Sequence, residues 1–246
     1  MDKFKVILQR AVQRKACRST LLRSLPMLAE PRQLAAMGDD RYLAEMARSV
    51  FQLVTGTGTC SDPSWGTDSG WRRDEPDWLE FERAFLGFDP LLVARLTQAQ
   101  IDALSVHPKI MSSRQKVASV QRNAQMMVDL AAVEGSFSEM VAAWPSSQLV
   151  DLFALLKRQG SRLGGVSGQR VLRNLGVDTY LLGRDVAHCL QSAGVQISLT
   201  PSSKKDLTLV QIAFNTWHRE TGLPYSHLSR ICAWSVGDNP PLLSTY

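Results

Sequence analysis

The residues best suited to chemistry in this chain lie between Phe153 and Val177, where a glycine-broken turn meets a one-sided set of charges. Leu163-Gly164-Gly165-Val166-Ser167-Gly168 interrupts an apolar pattern that resumes at Val171, Leu172 and Leu175 with 3.6-residue spacing. The sequence therefore predicts a helix, a glycine hairpin and a second helix. Glycines permit positive φ and remove side chains, so consecutive backbone N–H groups at the second helix's N-terminus can face a phosphate. Five basic residues, Lys157, Arg158, Arg162, Arg170 and Arg173, occupy the stretch, and no acidic one does. The chemistry this suits is capture of an oxyanion by Gly164, Gly165, Ser167, Gly168, Arg162 and Arg170. An ordinary helical hairpin with a solvated basic face has the same pattern.

The elements that must position these residues read as helices almost throughout, and no clear alternating strand is present. An N-terminal helix with a basic outer face is predicted within Met1–Leu25, which holds seven basic residues against Asp2 alone. A transit peptide or a membrane-surface helix would share that pattern; the docked helix is the reading adopted. Pro31–Met37 reads as a short helical turn. Asp39 or Asp40 is placed to cap a helix over Arg41–Val54 with Leu43, Met46, Ala47 and Val50 inward. Thr55–Pro76, rich in Gly, Ser, Thr and Asp, has no apolar period and reads as a long loop. Helices follow over Asp77–Phe88, over Asp89–Leu96, and over Gln98–Val106 with Thr97 as cap. Ser112 or Ser113 caps a long helix to Val133, with Val117, Val120, Ala124, Met127 and Ala131 in one stripe and Gly135 ending it. Pro145 separates helices over Ser136–Trp144 and Ser146–Gln159. Beyond the hairpin, helices are predicted over Asp185–Ala193, from Ser202 or Ser203 to Glu220, and over Pro224–Val236, with Asp238–Tyr246 a loosely held tail. The inferred architecture is all-α, one domain over 1–246 with helices packed in two lobes around a cleft.

Composition narrows the function classes. At 246 residues, 44% hydrophobic and 21% charged, the chain can bury a sizeable globular core. Its net charge of +5 and pI near 9.2 mildly favour an anionic partner. Cys17, Cys60, Cys189 and Cys232 are far apart and form no C-x-x-C pair, which argues for a reducing compartment, the cytoplasm by default. No run is long enough for a membrane span, and the N-terminus lacks the apolar core of a signal peptide. A P-loop, a dinucleotide fingerprint and a nucleophile elbow are all missing.

Several segments, taken together, resemble a known family. The hairpin followed by a loop carrying Asp178 and Asp185 is similar to the helix-hairpin-helix superfamily of DNA glycosylases. Phe85-Leu86-Gly87-Phe88-Asp89-Pro90-Leu91-Leu92-Val93-Ala94, the Arg114-x-Lys116 pair leading to Asn123-Ala124, and Leu155-Leu156-Lys157-Arg158-Gln159-Gly160 resemble the DNA-3-methyladenine glycosylase I family in order and spacing. The resemblance spans roughly Asp39 to Gly237. It implies a two-lobed helical glycosylase fold, a monomer, double-stranded DNA with alkylated bases as partner, and base excision by water without a cofactor. In the cell the protein would be cytoplasmic, associated with the nucleoid when bound to DNA.

That chemistry needs an extruded base held against aromatic faces and a carboxylate near the sugar as positive charge develops there. Superfamily members place their aspartate at the start of the helix after the hairpin loop, a position Asp185 fits better than Asp178. A capping role at the helix N-terminus competes with that reading. For the base pocket, Trp71 falls on the family's tryptophan. Ser49 falls where the family has a glutamate, and Gln52 on its glutamine. The extra loop between them adds Trp65. A long loop beside a pocket is often functional, although Trp71 is equally suited to anchoring it. Loss of the glutamate argues against 3-methyladenine itself as the substrate. Should neither Asp178 nor Asp185 carry the chemistry, Glu45, on the same helix as Ser49, is the fallback carboxylate. The family's zinc site lacks its N-terminal partners, since Cys17 has no nearby histidine; no structural metal is expected. No lysine takes the hairpin-proximal position that a bifunctional lyase would want, and Lys204 and Lys205 lie beyond the expected pocket at a helix start, so a monofunctional enzyme is expected. The alternative is a catalytically impaired DNA-binding or damage-sensing protein on the same scaffold.

Overall fold

A computed structural model describes residues 3–15, 17–55, 76–107, 110 and 113–236. The side chains of residues 3, 52–55, 76, 77 and 134 are outside that description. Among the described residues the secondary structure is helical, with no strand. In chain order the α-helices are α1 (Lys3–Arg14), α2 (Arg18–Arg23), α3 (Pro31–Ala36), α4 (Asp39–Thr55), α5 (Pro76–Ala84), α6 (Pro90–Ala94) and α7 (Gln98–Ser105). They continue with α8 (Arg114–Glu134), α9 (Phe137–Ala143), α10 (Leu149–Gln159), α11 (Val166–Asn174), α12 (Arg184–Ser192), α13 (Lys204–Thr221) and α14 (Tyr225–Ser235). Single 3-10 turns occupy Leu86–Phe88 and Ser146–Gln148.

The chain divides into two compact units. The first gathers residues 1–28, 145–152 and 176–246. In it α1 packs on α14, and α14 also packs on α12 and α13. The amphipathic spacing of α1 buries Phe4, Ile7 and Ala11, as expected for a docked helix. Phe4 meets Trp217 with ring centroids 5.4 Å apart, and Tyr180 stacks on Phe214 at 4.7 Å.

The second unit holds residues 29–144 and 153–175. Its centre is α8, which packs against α4, α6, α7 and α9, while α3 lies on α9 and α11 on α4. The expected stripe of α4 is inside: Leu43, Met46, Ala47 and Val50 are all buried. Of the α8 stripe, Val117, Val120, Ala124 and Met127 are buried, and Ala131 is half-exposed near the helix end. Phe51, Trp78, Phe81, Phe85 and Phe88 form a continuous ring cluster with neighbouring centroids 5.0–6.0 Å apart. Burying such rings supplies roughly 1.5–3 kcal/mol each.

Several boundaries differ from the pattern reading. The helix expected over Asp77–Phe88 stops at Ala84, because Leu86, Gly87 and Phe88 take positive φ and turn the chain. Asp39 and Asp40 lie inside α4 rather than before it, and the Asp39 carboxylate serves another helix, accepting from the N–H groups of Phe137 (3.1 Å) and Ser138 (2.8 Å) at the start of α9. Ser113 precedes α8 without a side-chain cap bond. Asp89, Thr97, Ser136 and Ser203 do cap α6, α7, α9 and α13. The loop 56–75 and the tail 237–246 lie outside the described residues.

Candidate functional site

The hairpin belongs to the second unit. Gly165 caps α11 at φ 60, ψ −133, a backbone region that a residue with a Cβ strongly resists. As a glycine, Gly165 offers the first amides of α11 no capping side chain. Ser167 and Gly168 lie inside α11 rather than in the turn. Gly168 is required there by contact, since a Cβ would lie 2.5 Å from the Leu163 carbonyl oxygen. Gly164 is less constrained, its Cβ position meeting only the Lys157 side chain at 3.4 Å.

The loop before the turn is clamped to α8. Asn123, fully buried, donates from Nδ2 to the Ser161 carbonyl (3.1 Å), and the Ser161 N–H donates to Asn123 Oδ1 (2.6 Å). Arg122 donates from Nε (3.2 Å) and Nη2 (3.1 Å) to the Ser161 hydroxyl. Next to this clamp Arg162 is exposed and has φ 63, unusual for a side chain of its size. Arg170 is half-buried on α11. The fold also brings a lysine to the hairpin that sequence distance concealed. Lys116 of α8 is 9% exposed. Burial and the Arg162 guanidinium lower its ammonium pKa.

On α4, Ser49 is buried at 7% exposure, and Glu45, one turn earlier, at 8%. Asn174 at the end of α11 donates to Glu45 Oε1 at 2.7 Å, and Arg48 Nη1 lies 3.9 Å from Oε2. Burial pushes the Glu45 carboxyl pKa up, partly offset by the Asn174 bond and the charges of Arg48 and Arg41. The Gln52 side chain, Trp65 and Trp71 lie outside the described residues, so the expected base pocket is represented there by Ser49 alone. A concavity of about 640 Å³ in this unit is bordered, among the described residues, by Asp39, Asp40, Asp89, Leu91 and Val128, and not by Ser49.

The two aspartates belong to the first unit, and their surroundings separate them. Asp178 accepts from the Tyr225 N–H through Oδ2 (3.2 Å) and from the Ser226 N–H through Oδ1 (2.8 Å), so it caps α14 with both oxygens. Asp185 is half-buried in the first turn of α12, where negative charge suits the helix dipole. The capping alternative does not apply to it: Gly183 is the N-cap, and no amide of the helix bonds to a cap side chain.

Among the described residues no group of three or more His, Cys, Asp or Glu side chains could hold a metal ion. His218 Nδ1 pairs with the Leu223 carbonyl and His227 Nε2 with that of Pro26, while Ser235 donates to Cys189. No described helix is long and apolar enough to cross a membrane.

Residues 47–153 match the family model described as methyladenine glycosylase. No curated protein matches the chain. Among solved structures, the chain is similar to a variant of 3-methyladenine DNA glycosylase I in complex with 3-methyladenine (20% identity, TM-score 0.39). It is likewise similar to a glutamate-to-glutamine variant of 3-methyladenine DNA glycosylase I from Staphylococcus aureus (20% identity, TM-score 0.40). Each likeness covers 61% of this chain and 79% of the other. The family match takes in most of α4, α5 to α9 and the start of α10; the hairpin, Asp178 and Asp185 lie beyond it.

Proposed function

We propose that this chain, matched to the methyladenine glycosylase family over residues 47–153, is a monofunctional DNA glycosylase that excises an alkylated base from duplex DNA. The family match is the observation that carries the reading, and the basic, glycine-capped hairpin supports a DNA partner. An alkylated purine that carries positive charge already has a weakened bond to its sugar. Once flipped out, it leaves as the neutral base with the electron pair of the N-glycosidic bond, and water adds to the sugar carbon and gives up a proton to solvent. The half-buried carboxylate of Asp185 supplies negative charge for the sugar cation. Asp178 is a poor candidate for that task, because both of its oxygens already accept amides of α14. The protein acts as a cytoplasmic monomer, associated with the nucleoid when bound to DNA.

The test is release of free methylated base from methylated duplex DNA, with borohydride added in parallel. Release without a trapped protein–DNA adduct is expected. A trapped adduct overturns the monofunctional assignment. A second reading follows from the resemblance, in which Ser49, buried on α4, falls where the family has a carboxylate: a DNA-binding or damage-sensing protein without catalysis. Retained duplex binding with no base release would select it.

A further inference from the structure

The electrostatic influence of Arg162, in the hairpin, reaches a covered cation on α8, Lys116. The Nζ atom of Lys116 is buried and has no hydrogen-bond partner among the described residues. A buried ammonium without a partner is costly, and proteins ordinarily pair such a group with an anion. Here the neighbouring charge has the same sign, since the Arg162 guanidinium depresses the lysine's pKa. The arrangement is held firmly. Lys116 and Asn123 are seven residues apart on α8, two helical turns on one face, about 10 Å along the axis. Lys116 and Asn123 are both buried, and Ser119 between them is fully buried, with its hydroxyl bonded to the Lys116 carbonyl (2.6 Å). Asn123 grips Ser161 through both of its amide atoms, and Arg122 grips the Ser161 hydroxyl. The next residue, Arg162, takes its left-handed backbone against that anchor.

We propose that Lys116 and Arg162 together form a phosphate site: a backbone phosphate of duplex DNA docks on exposed Arg162, and Lys116 supplies the second positive charge from the covered side. This rests on the DNA reading above and names a residue, Lys116, that the hairpin sequence does not contain. Phosphate contact positions the duplex and reads no base, so the contribution is independent of sequence. The buried clamp of Asn123 on Ser161 is the device that keeps the two cations together despite their repulsion.

The experiment compares the wild type with Lys116→Met, Lys116→Arg and Arg162→Met in duplex binding across a salt series. Methionine fills the same space without charge, so Lys116→Met should fold and melt at or above the wild-type temperature. Its log–log salt slope should fall by up to about 0.9, equally for all sequences, with Lys116→Arg close to wild type. A double variant with Arg162→Met should lose little more than either single change, because both serve one phosphate. If the wild type binds duplex with a clear salt slope and Lys116→Met is unchanged in affinity and slope, the site is wrong and the DNA reading survives. If the wild type shows no salt-dependent duplex binding, the DNA reading fails, and melting in inorganic phosphate against sodium chloride of equal ionic strength decides the site. A phosphate-specific rise in the wild type that is lost in Lys116→Met upholds the anion site with a free phosphate as occupant; equal rises overturn it.

Discussion

Replacing Asp178 by asparagine leaves one side-chain oxygen to face two backbone N–H groups, those of Tyr225 and Ser226, and removes the charge that favours a helix N-terminus. The variant should lose about 1 kcal/mol of stability, visible as a melting temperature lower by a few degrees. Asp185→Asn has no cap bond to lose, so it should melt like the wild type while base release drops at least about a hundredfold. Full base release by Asp185→Asn would remove it from the chemistry. Cys17 allows an independent check at this scale. Its exposed thiol is held by the hydroxyls of Ser19 and Thr20, which bring its pKa down to about 7. Alkylation of Cys17, followed by peptide mass spectrometry, should rise through a midpoint near pH 7, while buried Cys189 and Cys232 stay unmodified in the folded protein.

Between elements, the tie from α4 to α11 carries a pH signature. Burial raises the Glu45 pKa, so the native state keeps a proton that the unfolded chain releases near pH 4.3. Its contribution to stability is therefore present below about pH 4.3 and is lost as pH rises through the native-state pKa. Glu45→Gln keeps an oxygen for Asn174 and removes the titration. Denaturant unfolding across pH should show a flatter decline for the variant, and superimposable profiles would exclude Glu45 as the source. What the sequence revealed of these elements was their local grammar. Asp89 before Pro90, Thr97 three residues before Gln100, Gly135 at φ 93 and Pro145 mark boundaries because caps and breakers act within one turn. The left-handed turn at Leu86–Phe88 broke the pattern because two of its three positive-φ residues have bulky side chains and give no local warning. Asp39 capping α9 from 98 and 99 residues away, Asp178 capping α14, and Lys116 beside Arg162 depend on tertiary placement, which no spacing rule encodes. A glycine turn with basic flanks was legible in the sequence; the two amide bonds that occupy the oxygens of Asp178 were not.

For the molecule, the pairing of α1 with α14 makes the first unit depend on both ends of the described chain. Phe4 is 1% exposed against Trp217, so Phe4→Ala should cost about 3–5 kcal/mol in denaturant unfolding. A loss under about 1 kcal/mol would mean that α1 is not part of the core. The same pairing bears on manufacture by the ribosome. The apolar face of α1 emerges well before α14 and must wait, without that partner, while the helices between them are made. The segments of the second unit are complete by Leu175, well before α14. A nascent chain stalled late in synthesis would therefore carry Phe4, Ile7 and Ala11 bare to solvent, the kind of surface that chaperones bind and aggregates grow from.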